Sequence, residues 1–73
     1  MQTEFTCGIY TAKINAYKWR LETNQHTIAI IDPGGLHLKF TDQPVLLSTT
    51  DMLEILVIME GIKRQYKQLR TTQ

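Results

Sequence analysis

The sequence predicts an α+β domain: a four-stranded, mainly antiparallel sheet followed by one long C-terminal helix packed on one face. Residues 4–47 hold short alternating or β-branched segments separated by turn residues, which is typical of antiparallel strands. Residues 48–70 instead repeat apolar side chains at steps of three and four, which is typical of an amphipathic helix. The 73 residues are expected to form one domain, with residues 71–73 as a frayed tail.

Charge and cysteine content restrict the classes of function. The chain has eight Lys or Arg, seven Asp or Glu, two His and one Cys. The near-neutral charge by itself predicts no polyanion partner, although residues 61–73 hold four Lys or Arg and no acid. Cys7 has no second cysteine to pair with and fits a reducing compartment, so we expect a cytoplasmic or nuclear protein that is not secreted. The histidines and Cys7 lack zinc-ligand spacing, so no metal or other cofactor is expected.

The first strand is predicted over residues 4–11, where apolar side chains alternate with polar or small ones. Residues 13–16 form a weaker connection. The alternation places Phe5 and Cys7 towards a core, with Cys7 as a small packed residue rather than a reactive thiol. Tyr10 then points to the opposite, open face.

The second strand, residues 17–22, has the clearest alternation. Tyr17, Trp19 and Leu21 share one face, and Lys18 and Arg20 lie on the other. We therefore expect Trp19 in the core, while an inverted strand would instead expose both rings. Residues 23–25 read as a polar turn, and residues 26–31 as a β-branched third strand.

Residues 32–35, Asp-Pro-Gly-Gly, give the strongest turn signal in the chain, because proline presets φ and glycine supplies positive φ. A three-residue loop would pair Asp32 with Leu36. The apolar residues of the two strands would then meet on one side: Ile30 with Leu38, and Ile28 with Phe40. A two-residue loop would instead pair Ile31 with Leu36. The first register is preferred because it stacks apolar residues on each other.

The helix is expected after a short last strand at residues 45–47. Ser48 with Asp51, or Asp51 with Glu54, has capping-box spacing. Residues 52–59 are apolar on almost every side, so we expect burial against the sheet and against a second copy. The alternative is that Leu56 and Val57 widen the stripe that faces the sheet and that Ile58 is exposed. Gly61 is expected either to weaken the helix or to mark close approach of another backbone, for example a partner helix. The predicted interface consists of Ile58 and the apolar stripe of the helix whose residues are spaced by three and four positions. Its residues are Met52, Ile55, Ile58, Met59, Ile62, Tyr66 and Leu69.

No pattern indicates a catalytic site, because the carboxylates are explained by turns, caps and surface positions. The face opposite the predicted core is more informative, since its cations and one aromatic ring suit phosphates and bases of a single strand. The candidate nucleic-acid-binding residues are Lys18, Arg20, Lys39, His37, Tyr10 and Lys13.

The stretch from Tyr17 to Leu69 resembles the single-stranded DNA-binding domain of the positive-cofactor-four family of transcriptional coactivators and its small prokaryotic and phage relatives. The residues that carry the likeness are Tyr17-Lys18-Trp19-Arg20, the hairpin of residues 28–40, and Val45-Leu46-Leu47-Ser48 leading into the helix. The resemblance implies dimerisation through the helices. It also implies nucleic-acid contacts by Lys18, Arg20 and Lys39, and by Trp19 or Phe40.

The sequence thus predicts a non-enzymatic homodimer, or higher oligomer, that binds single-stranded DNA or RNA through a basic sheet face. The alternative is a small viral or accessory protein-interaction module, an inhibitor or adaptor, that acts through its helix or an open strand edge.

Overall fold

The computed structural model consists of one antiparallel sheet and one helix. It describes residues 2–16, 18–24, 26–32, 37–41 and 46–71, with the side chains of residues 46–67 in the last range. The strands are β1 (Glu4–Cys7), β2 (Tyr10–Asn15), β3 (Lys18–Thr23), β4 (His26–Asp32) and β5 (His37–Phe40), and helix α1 spans Thr49–Thr71. Strand order in the sheet follows chain order, so the sheet is an antiparallel meander. The predicted α+β class and C-terminal helix are confirmed.

The sheet has five strands rather than the four predicted, because the N-terminal segment forms a hairpin. Cys7 pairs with Tyr10, and Gly8 and Ile9 make the two-residue turn. Gly8 has φ of 61°, as the first position of a type II′ turn requires. Residues 13–16, predicted as a connection, therefore lie largely within β2.

The segment before the helix differs from the prediction of a short last strand. Leu46 and Leu47 are not in a strand, and Val45 lies outside the described residues. Also outside them are Tyr17, residues 33–36, residues 42–44, the tail residues 72 and 73, and the side chain of Leu69.

The core lies between one face of the sheet and α1. Trp19 and Leu21 are fully buried, which confirms the predicted alternation of β3. The ring of Phe5 packs on Trp19 with centroids 5.5 Å apart. The buried apolar residues are Tyr10, Ala12, Trp19, Leu21, Ala29, Ile31, Ile55, Ile58 and Ile62. Cys7 is half-buried and packs against this cluster.

Helix α1 begins with the Ser48–Asp51 capping box. The Ser48 backbone N–H and hydroxyl donate to Asp51 Oδ2 at 2.8 and 2.9 Å, and the Asp51 N–H donates to Ser48 Oγ at 3.1 Å. Near the other end, Gln65 Nε2 donates to the Gln2 carbonyl at 2.9 Å. Glu54 packs beside Gly8, and Gly61, further along the helix, packs beside Phe5, which is earlier in the chain. Helix α1 therefore runs antiparallel to β1.

Gly61 marks a close approach, but the neighbour is a strand side chain of the same chain. A Cβ at Gly61 would lie 2.9 Å from two atoms of the Phe5 ring, closer than real Cβ contacts. The glycine therefore lets α1 settle onto β1, and its place in the helix does not require the partner helix that the sequence suggested.

The register between β4 and β5 differs from both predicted registers. Ile31 pairs with Leu38, and Ile30 pairs with Lys39. A bulge next to the Leu21–Glu22 step of β3 leaves Ile28 as an extra residue in β4. The inward residues of β4 are consequently Ala29 and Ile31, and Ile30 lies on the open face.

We expect Ile58→Ala to destabilise the fold by about 2–5 kcal/mol, because Ile58 is fully buried and truncation leaves a cavity. Leu46→Ala is the matched control, since Leu46 is 98% exposed and its loss should cost no more than about 0.5 kcal/mol. Urea unfolding followed by circular dichroism measures both. Equal effects of the two substitutions would contradict the assigned orientation of α1.

Candidate nucleic-acid interface

The open face of the sheet is the one turned away from α1. Directly opposed residues of antiparallel strands share a face, so the register defines its composition. One line across the five strands runs through Glu4, Lys13, Arg20, Ile30 and Lys39. We call its three basic residues, Lys13, Arg20 and Lys39, the cation row.

The cation row combines like charges, and among the described residues the nearest acids, Glu4 and Glu22, form no ion pair with it. Lys13 and Arg20 are directly opposed, a placement that disfavours folding for like charges. All three residues of the row are exposed. Within the described part of the chain, none of them has a carboxylate within 4 Å. An anion lying between Lys13 and Arg20 would relieve their repulsion.

Two further predicted site residues extend the same face. Lys18 precedes Arg20 by two residues and His37 precedes Lys39 by two, so each shares the face of its neighbour. Both are exposed. Asp32 is the cross-strand partner of His37. The five predicted cationic or histidine residues therefore lie together on one face, as the sequence indicated.

Acids border this face. Glu4 is opposed to Lys13 at one end of the line, and Glu22 follows Arg20 by two residues. The positive charge is consequently concentrated in the middle of the sheet, and the β1 margin is close to neutral.

The prediction that Tyr10 lies on the open face is wrong. Tyr10 is only 4% exposed and lies in the core, because the Gly8–Ile9 turn places it beside Cys7 on the helix side. Burial raises the pKa of its phenol, and the hydrogen bond to Asp51 and the charges of Asp51 and Glu54 raise it further. Tyr10 is therefore part of the core and is inaccessible to a base.

Among the described residues, no Phe, Tyr or Trp ring lies on the open face, and the imidazole of His37 is the ring found there. Trp19 is fully buried, so the stacking role that the family resemblance implied for it is wrong in this conformation. Phe40 pairs with Ala29 on the helix side and is 42% exposed there. Ile30 is the apolar side chain that interrupts the cation row.

The predicted oligomer interface is largely occupied by the chain's own core. Ile55, Ile58 and Ile62 are buried against the sheet, and Met59 and Tyr66 are half-buried against the same cluster. The assignment of the three isoleucines to contacts with a second copy is therefore wrong, and that of Met59 and Tyr66 stays a prediction. Of the described members of that set, Met52 alone is exposed, at 47%.

The helix carries a different uncovered apolar surface, whose residues were not in the predicted interface. Leu53, Leu56 and Val57 are 58%, 58% and 60% exposed on the side of α1 away from the core. We call the depression that they form with their neighbours the outer groove. Its lining residues are Phe5, Leu53, Leu56, Val57, Glu60, Gly61 and Arg64. The all-round apolar character of residues 52–59 was the sequence signal for it.

Comparison with known proteins identifies no relative: the chain matches no protein-family model, no curated protein and no solved structure. The resemblance to the positive-cofactor-four family therefore stays a prediction. Among the described residues, no helix combines the length and the apolar character needed to cross a membrane. Within those residues no three His, Cys, Asp or Glu side chains are grouped to hold a metal ion.

We expect the Tyr10 phenol to titrate above the ordinary value of 10.0, and Asp51→Asn to shift that titration to lower pH by removing the nearby carboxylate. A phenol pKa that is higher in the folded state stabilises the fold below about pH 10, and this contribution is lost as pH rises further. Absorbance at 295 nm follows the titration, and Tyr10→Phe identifies its component. A Tyr10→Phe chain with an unchanged high-pH titration would contradict the burial of this phenol.

Proposed function

We propose that the protein binds single-stranded nucleic acid without catalysis, through the cation row on the open face of the sheet. The observation that carries this proposal is the placement of Lys13, Arg20 and Lys39 in one register line, with no carboxylate within 4 Å of their charged groups among the described residues. Lys18 and His37 widen the positive surface on the same side.

The geometry favours contact with phosphates over contact with bases. Neighbouring strands lie about 4.8 Å apart, so Lys13 and Arg20 are one strand spacing apart and Arg20 and Lys39 are two. The row therefore runs across the strands, and a nucleic-acid backbone would cross them to meet all three cations. Because no Phe, Tyr or Trp among the described residues faces this surface, the stacking energy that many single-strand binders take from such rings is not supplied here.

We expect Lys13→Ala with Arg20→Ala to weaken binding of a labelled single-stranded oligonucleotide and to flatten its salt dependence. Each lost phosphate contact should reduce the slope of log K against log salt by about 0.7. Fluorescence anisotropy at several salt concentrations measures both quantities.

The matched control for this pair is Lys63→Ala with Lys67→Ala, which removes the same charge from exposed positions of α1. If the two double variants weaken binding equally, the chain responds to net charge and the assigned face is wrong. Unchanged affinity in the sheet variant would also refute the assignment.

We further expect an abasic oligonucleotide to bind about as well as an oligothymidylate of equal length, because the cation row offers charge and no ring. Competition against the labelled strand at fixed salt makes the comparison. A loss of affinity on removing the bases would show that base contacts contribute, and would contradict a site made of the cation row alone.

The alternative proposal, a protein-interaction module acting through α1 or an open strand edge, predicts no salt-sensitive binding of nucleic acid. Apolar contacts respond weakly to salt, whereas phosphate contacts weaken steeply as salt rises. The same salt titration therefore separates the two functions.

A further inference from the structure

The outer groove adjoins the free edge of strand β1. Gly61 of α1 rests on the ring of Phe5, which is the one sheet residue among the described residues that line the groove. Val57 and Arg64 lie next to Gly61 around the helix, on the side away from the fully buried Ile58. They therefore overhang the outer side of β1, where the described sheet ends.

The backbone groups at this edge are oriented for a further strand. The Ile14 N–H donates to the Thr3 carbonyl at 3.2 Å, so these two residues form a hydrogen-bonded pair that extends the β1–β2 ladder. Such pairs alternate along antiparallel strands, so Phe5, two residues after Thr3, also bonds to β2. The backbone N–H and C=O groups of Glu4 and Thr6 consequently point outward, away from β2.

A side-chain amide already occupies one of these outward groups. Gln2 Nε2 donates to the Glu4 carbonyl at 2.7 Å. An amide N–H is also the donor that the backbone of an added strand would supply to the same carbonyl. The Gln2 side chain is exposed, so an added strand can displace it into water. The free chain therefore shows the contact that this edge offers to a partner.

We propose that the outer groove and the β1 edge together bind an extended segment of a partner protein, which pairs antiparallel to β1 as a sixth strand. All four strand pairs of the sheet use the antiparallel direction. In this mode of recognition, main-chain hydrogen bonds supply affinity, and pockets for alternate side chains supply specificity. The proposal does not rest on nucleic-acid binding, because the groove lies on the helix side of the sheet and the cation row on the open face.

The register of the added strand defines the sequence that the partner needs. The partner residues opposite Phe5 and Cys7 point to the helix side. Because α1 runs antiparallel to β1, they meet Val57 and then Leu53, which are 60% and 58% exposed, so both partner residues should be apolar. The partner residue opposite Glu4 points to the open face, where a lysine would form a cross-strand pair with the Glu4 carboxylate.

The same features argue against other occupants of the groove. A helix bonds its own backbone groups internally and would leave the outward groups of Glu4 and Thr6 unused. A nucleic acid would meet the Glu4 carboxylate and an apolar surface. A second copy that paired through its own β1 would bring its own overhanging helix into the space beside Val57. An extended peptide has no such overhanging element and therefore fits best.

A peptide that contains Val-Thr-Val-Lys tests the proposal on the full chain. Its valines are placed opposite Cys7 and Phe5, and its lysine opposite Glu4. In an amide NMR titration of the isotope-labelled protein, we expect the signals of Glu4, Thr6 and Gly61 to shift and those of β5 to stay in place. No shift at the solubility limit of the peptide, or shifts confined to β3–β5, would overturn the proposal.

Backbone methylation of the peptide separates strand pairing from general apolar adhesion. The lysine N–H would donate to the Glu4 carbonyl, whereas the N–H of the second valine, opposite Phe5, would point away from β1. Methylation of the lysine nitrogen should therefore raise the Kd about tenfold or more. The matched control, methylation of the second valine nitrogen, should change the Kd by less than about twofold. Equal effects of the two methyl groups would refute pairing with β1.

Val57→Asp tests the groove, because the bound peptide would bury the new carboxylate, and we expect the Kd to rise about tenfold. Ile9→Asp is the matched control, since Ile9 is also β-branched and is 61% exposed in the β1–β2 turn. It should leave the Kd unchanged, and circular dichroism checks that both variants are folded.

Equal weakening by Val57→Asp and Ile9→Asp would contradict the assignment of the groove. Sedimentation at the concentration of the titration measures self-association. A dimer that excludes the peptide would assign the groove to a second copy and overturn the proposal.

Discussion

The packing of Ile55, Ile58 and Ile62 on one face of the sheet is the interaction on which the rest of the structure depends. These side chains are at most 3% exposed and meet Trp19 and Leu21, which are fully buried. Because the described residues form one sheet and one helix, this contact decides which sheet face remains open and which helix face points outward. Both candidate surfaces, the cation row and the outer groove, are therefore consequences of the same packing.

Features governed by local periodicity could be predicted from the sequence. The alternation around Trp19 gave the correct faces for Lys18 and Arg20, and the spacing of three and four gave a helix over 48–70 where the structure has Thr49–Thr71. These predictions succeed because side-chain direction in a strand or helix follows from position alone. The open-face placement of His37 and Lys39 followed in the same way.

Features that depend on one residue in a turn or a bulge could not be predicted from local periodicity. The Gly8–Ile9 turn reverses the chain within a pattern that reads as one strand, and this moves Tyr10 from the expected open face into the core. The bulge at Ile28 shifts the alternation of inward and outward residues in β4 by one position, so the small Ala29 packs inward and Ile30 faces outward. In each case the apolar pattern is compatible with two registers, and tertiary packing selects one.

The helix seam illustrates a further limit of sequence reasoning. A stripe at steps of three and four indicates which residues are buried, but it does not identify what buries them. Here the sheet covers Ile55 and Ile62, so the apolar residues left over at Leu53 and Val57 are the ones available to another molecule. In a helix that is apolar on most sides, the interface residues are found by subtracting those that the chain's own sheet covers.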